Sequence, residues 1–158
     1  MSRSLLTGAL LSVLFAGSAS AQQAQPPRAG VAVGGWIAPR DGSKAGIGGG
    51  LAAQVGSGAL ALEAEASVTR RDGHNDWRAL AGPTLRLPGS GRVGMYVHAL
   101  GGVLIRNGVS GPALLGGVGV NIRGAGRVSL RLQGDLTHDK ANGVYATGGR
   151  GSVWLVIR

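Results

Sequence analysis

Apolar and polar residues alternate with a period of two along most of the chain. Three stretches show the pattern cleanly, at 59–69, 92–106 and 127–137. Five more, at 30–39, 45–55, 77–87, 113–123 and 144–157, repeat it less cleanly. Such alternation indicates β-strands whose two faces meet different environments. The sequence therefore predicts eight strands.

The connections between these stretches fall into two alternating classes. Three are short and rich in glycine, at 56–58, 89–91 and 124–126. Four are charged, at 40–44, 70–76, 106–111 and 138–143, and each contains an Asp-Gly or Asn-Gly step, a strong hairpin signal. We expect these four to be loops of about 5 to 7 residues. The alternation predicts an antiparallel up-and-down meander, which can close into a barrel and so remove its edges.

Either face of such a barrel could point inward. A soluble, lipocalin-like barrel would enclose its Val and Leu and bind a small hydrophobic ligand, whereas a transmembrane barrel would turn them outward. Three observations favour a transmembrane barrel. The polar rows are crowded with small residues such as Gly46, Gly48 and Gly117, which suit a narrow lumen; only 2 Lys and 2 Glu are present; and the clean strands have the length of a tilted membrane-spanning strand.

The first residues carry an export signal. Arg3 precedes an apolar stretch from Leu5 to Phe15 and small residues that end at Ala21, the pattern of a cleaved secretory signal peptide. We therefore predict a signal peptide at 1–21, a flexible polar leader at 22–29 and one β-barrel domain at 30–158. The absence of cysteine excludes a disulfide-stapled miniprotein and a cysteine-ligated metal centre.

In this architecture the chain resembles the small eight-stranded outer-membrane β-barrels of Gram-negative bacteria, such as the OmpA transmembrane domain and the opacity proteins. The resemblance covers about residues 30–158. It implies an all-β transmembrane barrel in the outer membrane, assembled by the barrel-assembly machinery, with both termini in the periplasm and the charged loops outside. The group usually ends in an aromatic residue, whereas this chain ends in Arg158.

Charged residues on the polar rows are expected to meet inside the barrel. Because carboxylates in a narrow interior must find cations or become protonated, we expect Glu63 and Glu65 to pair with Arg131 and Arg150. Arg78 and Asp135 are expected in the same network, nearer the outer end, and His98 faces the lumen. A gate or ion path is the alternative to a plug of ion pairs. The plug is favoured, since eight strands enclose little more than their own side chains.

Cationic residues are expected at both rims of the barrel, on a chain of formal charge +9. Those at the outer rim would contact outer-membrane lipids, with lipopolysaccharide as a candidate partner: Arg40, Lys44, Arg70, Arg71, Arg106 and Lys140. Those at the other rim would face phospholipids: Arg86, Arg92, Arg123, Arg127 and Arg158. Ordinary solubilising charge is the alternative. Nucleic acid is not expected as a partner, because no aromatic residues interleave the cations.

No enzyme, cofactor or metal site is expected. Ser110, His138 and Asp139 lack a spacing that would demand a nucleophile and its base. His74 and His138 would form a surface metal site only if two outer loops met. We therefore expect a barrel with a structural or surface-interaction role.

Overall fold

The computed structural model describes residues 28–40, 43–88, 92–124, 126–141 and 143–158. The predicted signal peptide and residues 22–27 of the leader lie outside this part of the chain. The described residues form eight strands: β1 (Arg28–Arg40), β2 (Ser43–Ser57), β3 (Leu60–Arg71), β4 (His74–Arg86), β5 (Val93–Arg106), β6 (Val109–Arg123), β7 (Val128–Ala141) and β8 (Val144–Ile157). No helix in the described ranges is long and apolar enough to cross a bilayer.

Each strand pairs antiparallel with the next, and β1 also pairs with β8, so the sheet closes into a barrel. The predicted fold class, an eight-stranded up-and-down β-barrel, is confirmed. β1 begins at Arg28, so the last two residues of the predicted leader belong to the barrel. The strands are 12 to 15 residues long, whereas a tilted strand needs about 9–11 residues to cross a bilayer. Their ends therefore extend beyond the hydrocarbon.

The aliphatic rows face outward. Leu51, Leu62 and Leu136 are 64%, 63% and 71% exposed, whereas Glu63 and Arg131 are each only 2% exposed. Five of the seven acidic residues are buried, all of them on inward rows: Glu63, Glu65, Asp76, Asp135 and Asp139. This arrangement is the reverse of a lipocalin-like barrel, so the soluble alternative, which requires an apolar interior, is wrong. The outer wall is the surface that a transmembrane barrel presents to acyl chains.

The turns at the two ends differ from the prediction. The barrel has a terminal end, with Arg28, Arg158 and the β2–β3, β4–β5 and β6–β7 turns, and a hairpin end with the other turns. At the hairpin end Asp72-Gly73 and Asn107-Gly108 are two-residue turns with positive φ at both positions, the geometry of a type I′ turn. The expected loops of five to seven residues are therefore wrong here, because the charged residues that flank these steps lie in the strands.

Two prolines mark irregularities. The β1–β2 register shifts at Pro39, between Ala38 and Arg40. Pro83 keeps its pairing with β3, but the β4–β5 ladder lapses at Gly82 and Pro83 and then resumes in the same register. A proline has no N–H to donate to a ladder, which accounts for the lapse. β6 is rich in glycine, and it nevertheless pairs continuously with both neighbours.

Candidate functional site in the barrel interior

Three inward glycines make room for the large aromatic residues of the lumen. Trp36 is paired with Gly48, Tyr96 with Gly119, and Trp154 with Gly34 on the adjacent strand. A Cβ atom at any of the three glycines would overlap the paired ring. The glycine rows are therefore needed because the aromatic side chains lie flat over the neighbouring strand, where the interior is narrow.

Trp36 and Trp154 therefore lie in the lumen. Trp36 is 5% exposed and Trp154 1% exposed, and the centroids of their rings lie 5.7 Å apart. The register of β1 is continuous from Val31 to Ile37, so no bulge turns Trp36 toward lipid. Trp77 and Tyr145 are more than half exposed on the outer wall, as residues of an interfacial belt are.

Arg150 is the centre of the charged cluster in the barrel. Its Nη1 and Nη2 donate to the two carboxylate oxygens of Glu65, at 2.6 and 2.9 Å, and its Nε donates to Asp135 Oδ2 at 2.8 Å. The guanidinium also stacks 4.9 Å from the ring centroid of Trp36. Glu65 belongs to β3 and Arg150 to β8, so the pair joins walls that are not adjacent in the sheet.

Arg131 makes the second interior ion pair, with Glu63. Its Nη1 lies 3.1 Å from Glu63 Oε1, its Nε donates to Asn121 Oδ1, and its guanidinium lies 4.7 Å from the ring centroid of Tyr96. Thr84 Oγ1 donates to Glu63 Oε2 at 3.0 Å, and Gln54 Nε2 donates to the same oxygen at 3.2 Å. Glu63 thus has a cation and two neutral donors, as a buried carboxylate requires.

His98 lies between the two ion pairs and makes a hydrogen bond to Asp135. Its Nε2 lies 2.8 Å from Asp135 Oδ1, and its Nδ1 lies 3.9 Å from Glu63 Oε1. Gln133 Nε2 donates to Asp135 Oδ2, and Tyr96 Oη donates to Gln133 Oε1. One connected network results, which we call the central cluster: Glu63, Glu65, Tyr96, His98, Arg131, Gln133, Asp135 and Arg150.

A second charged layer lies toward the hairpin end. Arg78 donates to Asp139 Oδ2 at 2.6 Å and to Thr69 Oγ1 at 3.2 Å. Arg106 makes a bidentate pair with Asp76, with donor–acceptor distances of 2.5 and 2.7 Å. Arg78 therefore pairs with Asp139 in this layer, whereas Asp135, expected beside Arg78 near the outer end, lies in the central cluster.

Sequence reasoning missed Asp76 and Asp139 as interior residues because it assigned both to loops. The signal that reveals them is the Asp-Gly and Asn-Gly steps read as two-residue turns. Strands that continue to such turns place Asp76 on the inward row of Arg78, and Asp139 on that of Asp135.

The six cations expected at the outer rim occupy different environments. Lys44 and Arg70 are exposed, and the side chain of Arg40 lies outside the described part of the chain. Arg71 donates from Nη2 to the backbone carbonyl of Ala38, and Arg106 is held by Asp76. Lys140 lies over the ring of Tyr145, 4.8 Å from its centroid.

The residues weighed for catalysis and metal binding do not converge. His138 is exposed, stacks on Tyr145 and contacts Thr147 Oγ1 at 3.0 Å, whereas Asp139 is buried. Successive residues of a strand point to opposite faces, so these two side chains lie on different sides of the wall. Within the described residues, no group of three or more His, Cys, Asp or Glu is arranged to hold a metal ion.

Solved structures similar to this one include outer-membrane β-barrels. Neisserial surface protein A matches with a TM-score of 0.72 and 13% identity, over 84% of this chain and 99% of that protein. The N-terminal β-barrel domain of Pseudomonas aeruginosa OprF matches with a TM-score of 0.53 and 10% identity, over 85% of this chain and all of that domain, a coverage of 100%. No protein-family model matches the chain, and no curated protein matches it significantly in sequence.

Structural similarity at identities this low establishes the fold alone. The individual roles of those proteins are therefore not assigned to this chain. The closed ring of eight strands agrees with the matched structures, and the resemblance inferred from the sequence is confirmed at the level of the fold. The chain has the fold of the small eight-stranded outer-membrane β-barrels.

Proposed function

We propose that this is an outer-membrane protein with a structural or surface-interaction role, that ion pairs close its interior, and that it has no catalytic activity. The observation that carries the proposal is the central cluster. Its two arginines are bonded to carboxylates on other walls of the barrel, and both guanidinium groups lie against aromatic rings. A barrel of eight strands has little room beyond its side chains.

Packing on either side of the charges supports a closed interior. Tyr96 and Trp154 are each 1% exposed, and Leu104 toward the hairpin end is fully buried. An ion crossing this interior would have to displace aromatic rings and break several charge-assisted hydrogen bonds together. Such bonds are roughly twice as strong as those between neutral groups, so spontaneous opening is costly.

The surface role rests on the hairpin end. Lys44 and Arg70 are exposed there, while the exposed His138 and Tyr145 and the half-buried Lys140 form an aromatic and cationic group on the outer wall. An aromatic ring beside an ammonium group is suited to the headgroup region of a membrane, because a residue there contacts acyl chains on one side and water on the other. We propose that this end contacts the phosphate groups of lipopolysaccharide.

Single-channel recording in planar bilayers tests the closed interior. The wild-type protein is expected to give no steady conductance. The double variant Glu65→Ala, Arg150→Ala, which removes one ion pair and its bulk, is expected to give conducting events. A stable, sizeable conductance of the wild type that survives Glu63→Gln would refute the plug. Heat-modifiable mobility on gels verifies that each variant is folded.

A further inference from the structure

The terminal end of the barrel carries a concentration of arginine. Its described turns and the adjoining strand ends contain no Asp or Glu side chain, because the described acids lie in the interior or toward the hairpin end. The arginines there with described side chains are Arg86, Arg92, Arg123, Arg127 and Arg158. This end therefore differs from the hairpin end, where Asp76 and Asp139 pair with the neighbouring cations.

Three of these arginines line one pocket. Arg123 comes from the end of β6, Arg127 from the β6–β7 turn, and Arg158 follows β8; together with Ser129 they surround a volume of about 410 Å³. The backbone holds this arrangement, because Arg158 N donates to the carbonyl of Arg127 at 3.0 Å, and Gly124 N donates to Val128 O at 3.0 Å. Three arginines that line one pocket suit a phosphate, because a phosphate accepts paired hydrogen bonds from guanidinium groups.

The pocket adjoins an apolar groove of about 750 Å³ that shares Arg127 and Arg158 as lining residues. The groove follows the outer wall across β1 to β4. Its floor is a paired row in which Val31 is followed by Ala53, Ala64 and Ala81. Leu62, which is 63% exposed, stands beside this row.

We propose that the arginine pocket and the groove together bind one anionic phospholipid of the adjoining leaflet. The phosphate would lie among the arginines, and one acyl chain would lie along the alanine row. Charge complementarity selects this occupant, because the lining of the arginine pocket holds three arginines and no Asp or Glu, and it therefore attracts a lipid of net negative charge. The apolar groove next to the cations selects a lipid over a free phosphate. The proposal does not depend on whether the interior conducts.

Native mass spectrometry of the detergent-solubilised protein tests the site, with phosphatidylglycerol and phosphatidylethanolamine added in equal amounts. One phosphatidylglycerol is expected to be retained in preference to phosphatidylethanolamine. Arg127→Gln is expected to weaken its retention about fivefold, the factor for one charge at a lipid surface. Arg92→Gln is the matched control, because Arg92 is exposed at the same end and lines neither cavity.

A groove variant distinguishes a lipid from a free phosphate. Ala64→Phe fills the groove and faces lipid, so the barrel is expected to fold and to lose phosphatidylglycerol while the arginines remain. Equal loss in Arg92→Gln and Arg127→Gln would overturn the proposal, since the effect would then be general charge. The proposal would also be overturned if Ala64→Phe retained phosphatidylglycerol as well as the wild type does. Loss of phosphatidylglycerol on addition of glycerol phosphate at equal concentration would overturn it too.

Discussion

Replacing Arg150 by methionine perturbs the central cluster most strongly. Within the described residues, every hydrogen bond to the Glu65 carboxylate comes from this guanidinium, and the side chain of Glu65 is fully buried. Asp135 would lose the Arg150 Nε donor and keep its contacts with His98 and Gln133. The variant therefore leaves one buried carboxylate with neither a cation nor a donor.

The magnitude follows from that orphaned charge. Removing one partner of a buried ion pair costs about 3–5 kcal/mol, because the other charge remains desolvated. Arg150→Met is expected to lower the free energy of unfolding by this amount. The double variant Arg150→Met, Glu65→Leu removes the orphan as well, and exchanging a buried pair for apolar residues is often neutral. We therefore expect the double variant to be more stable than Arg150→Met alone.

Urea unfolding in lipid vesicles, followed by the heat-modifiable gel shift, measures these differences. Arg92→Met is the matched control, since the same substitution at an exposed arginine is expected to change stability by less than about 0.5 kcal/mol. Equal effects of the two arginine substitutions would refute the reasoning, and so would a double variant as unstable as the sum of its single variants.

Three further predictions concern the wall and the turns. Gly48→Ala should lower the unfolding free energy by about 1–3 kcal/mol, since its Cβ would overlap Trp36 and overpacking has costs of this size; Gly151→Ala, with open space around it, should be neutral in the same urea titration. Gly108→Ala should cost about 1–2 kcal/mol because φ is +77° there, and an unchanged urea midpoint would contradict the type I′ turn. Leu51→Arg, at mid-strand, should lower stability by about 2–4 kcal/mol, whereas Ala45→Arg, on the same face near the strand end, should lower it by about 0–1 kcal/mol. The yield of folding into vesicles measures the difference. Equal yields would place both residues outside the hydrocarbon.

The sequence was sufficient to predict the architecture because alternation acts over every strand at once. A single-residue slip would turn a whole row from lipid to lumen, so the row that holds Leu60, Leu62 and Val68 determines which side Glu63 faces. Once the barrel is closed, the carboxylates on the inward row of β3 can pair only with cations on the inward rows of the other strands.

The finer structure depends on the registers between strands, which the alternation leaves open. Whether Arg78 meets Asp135 or Asp139 depends on the relative heights of β4 and β7, which are not neighbours in the sheet. The place of Trp36 depends on its pairing with Gly48 in the next strand. Neither signal is local to one strand, and the assignment of 70–76 and 138–143 to loops further concealed Asp76 and Asp139.

Fluorescence of single-tryptophan variants in vesicles of acyl-chain-brominated lipid tests the central claim most directly, namely that the aliphatic wall faces acyl chains and the polar rows face an enclosed interior. The protein has three tryptophans: Trp77 on the outer wall, and Trp36 and Trp154 in the lumen. We predict that brominated lipid strongly quenches the fluorescence of the variant that keeps Trp77. The fluorescence of the variant that keeps Trp154 should be the same in brominated and unbrominated lipid. Quenching of Trp154 equal to that of Trp77 would contradict the account.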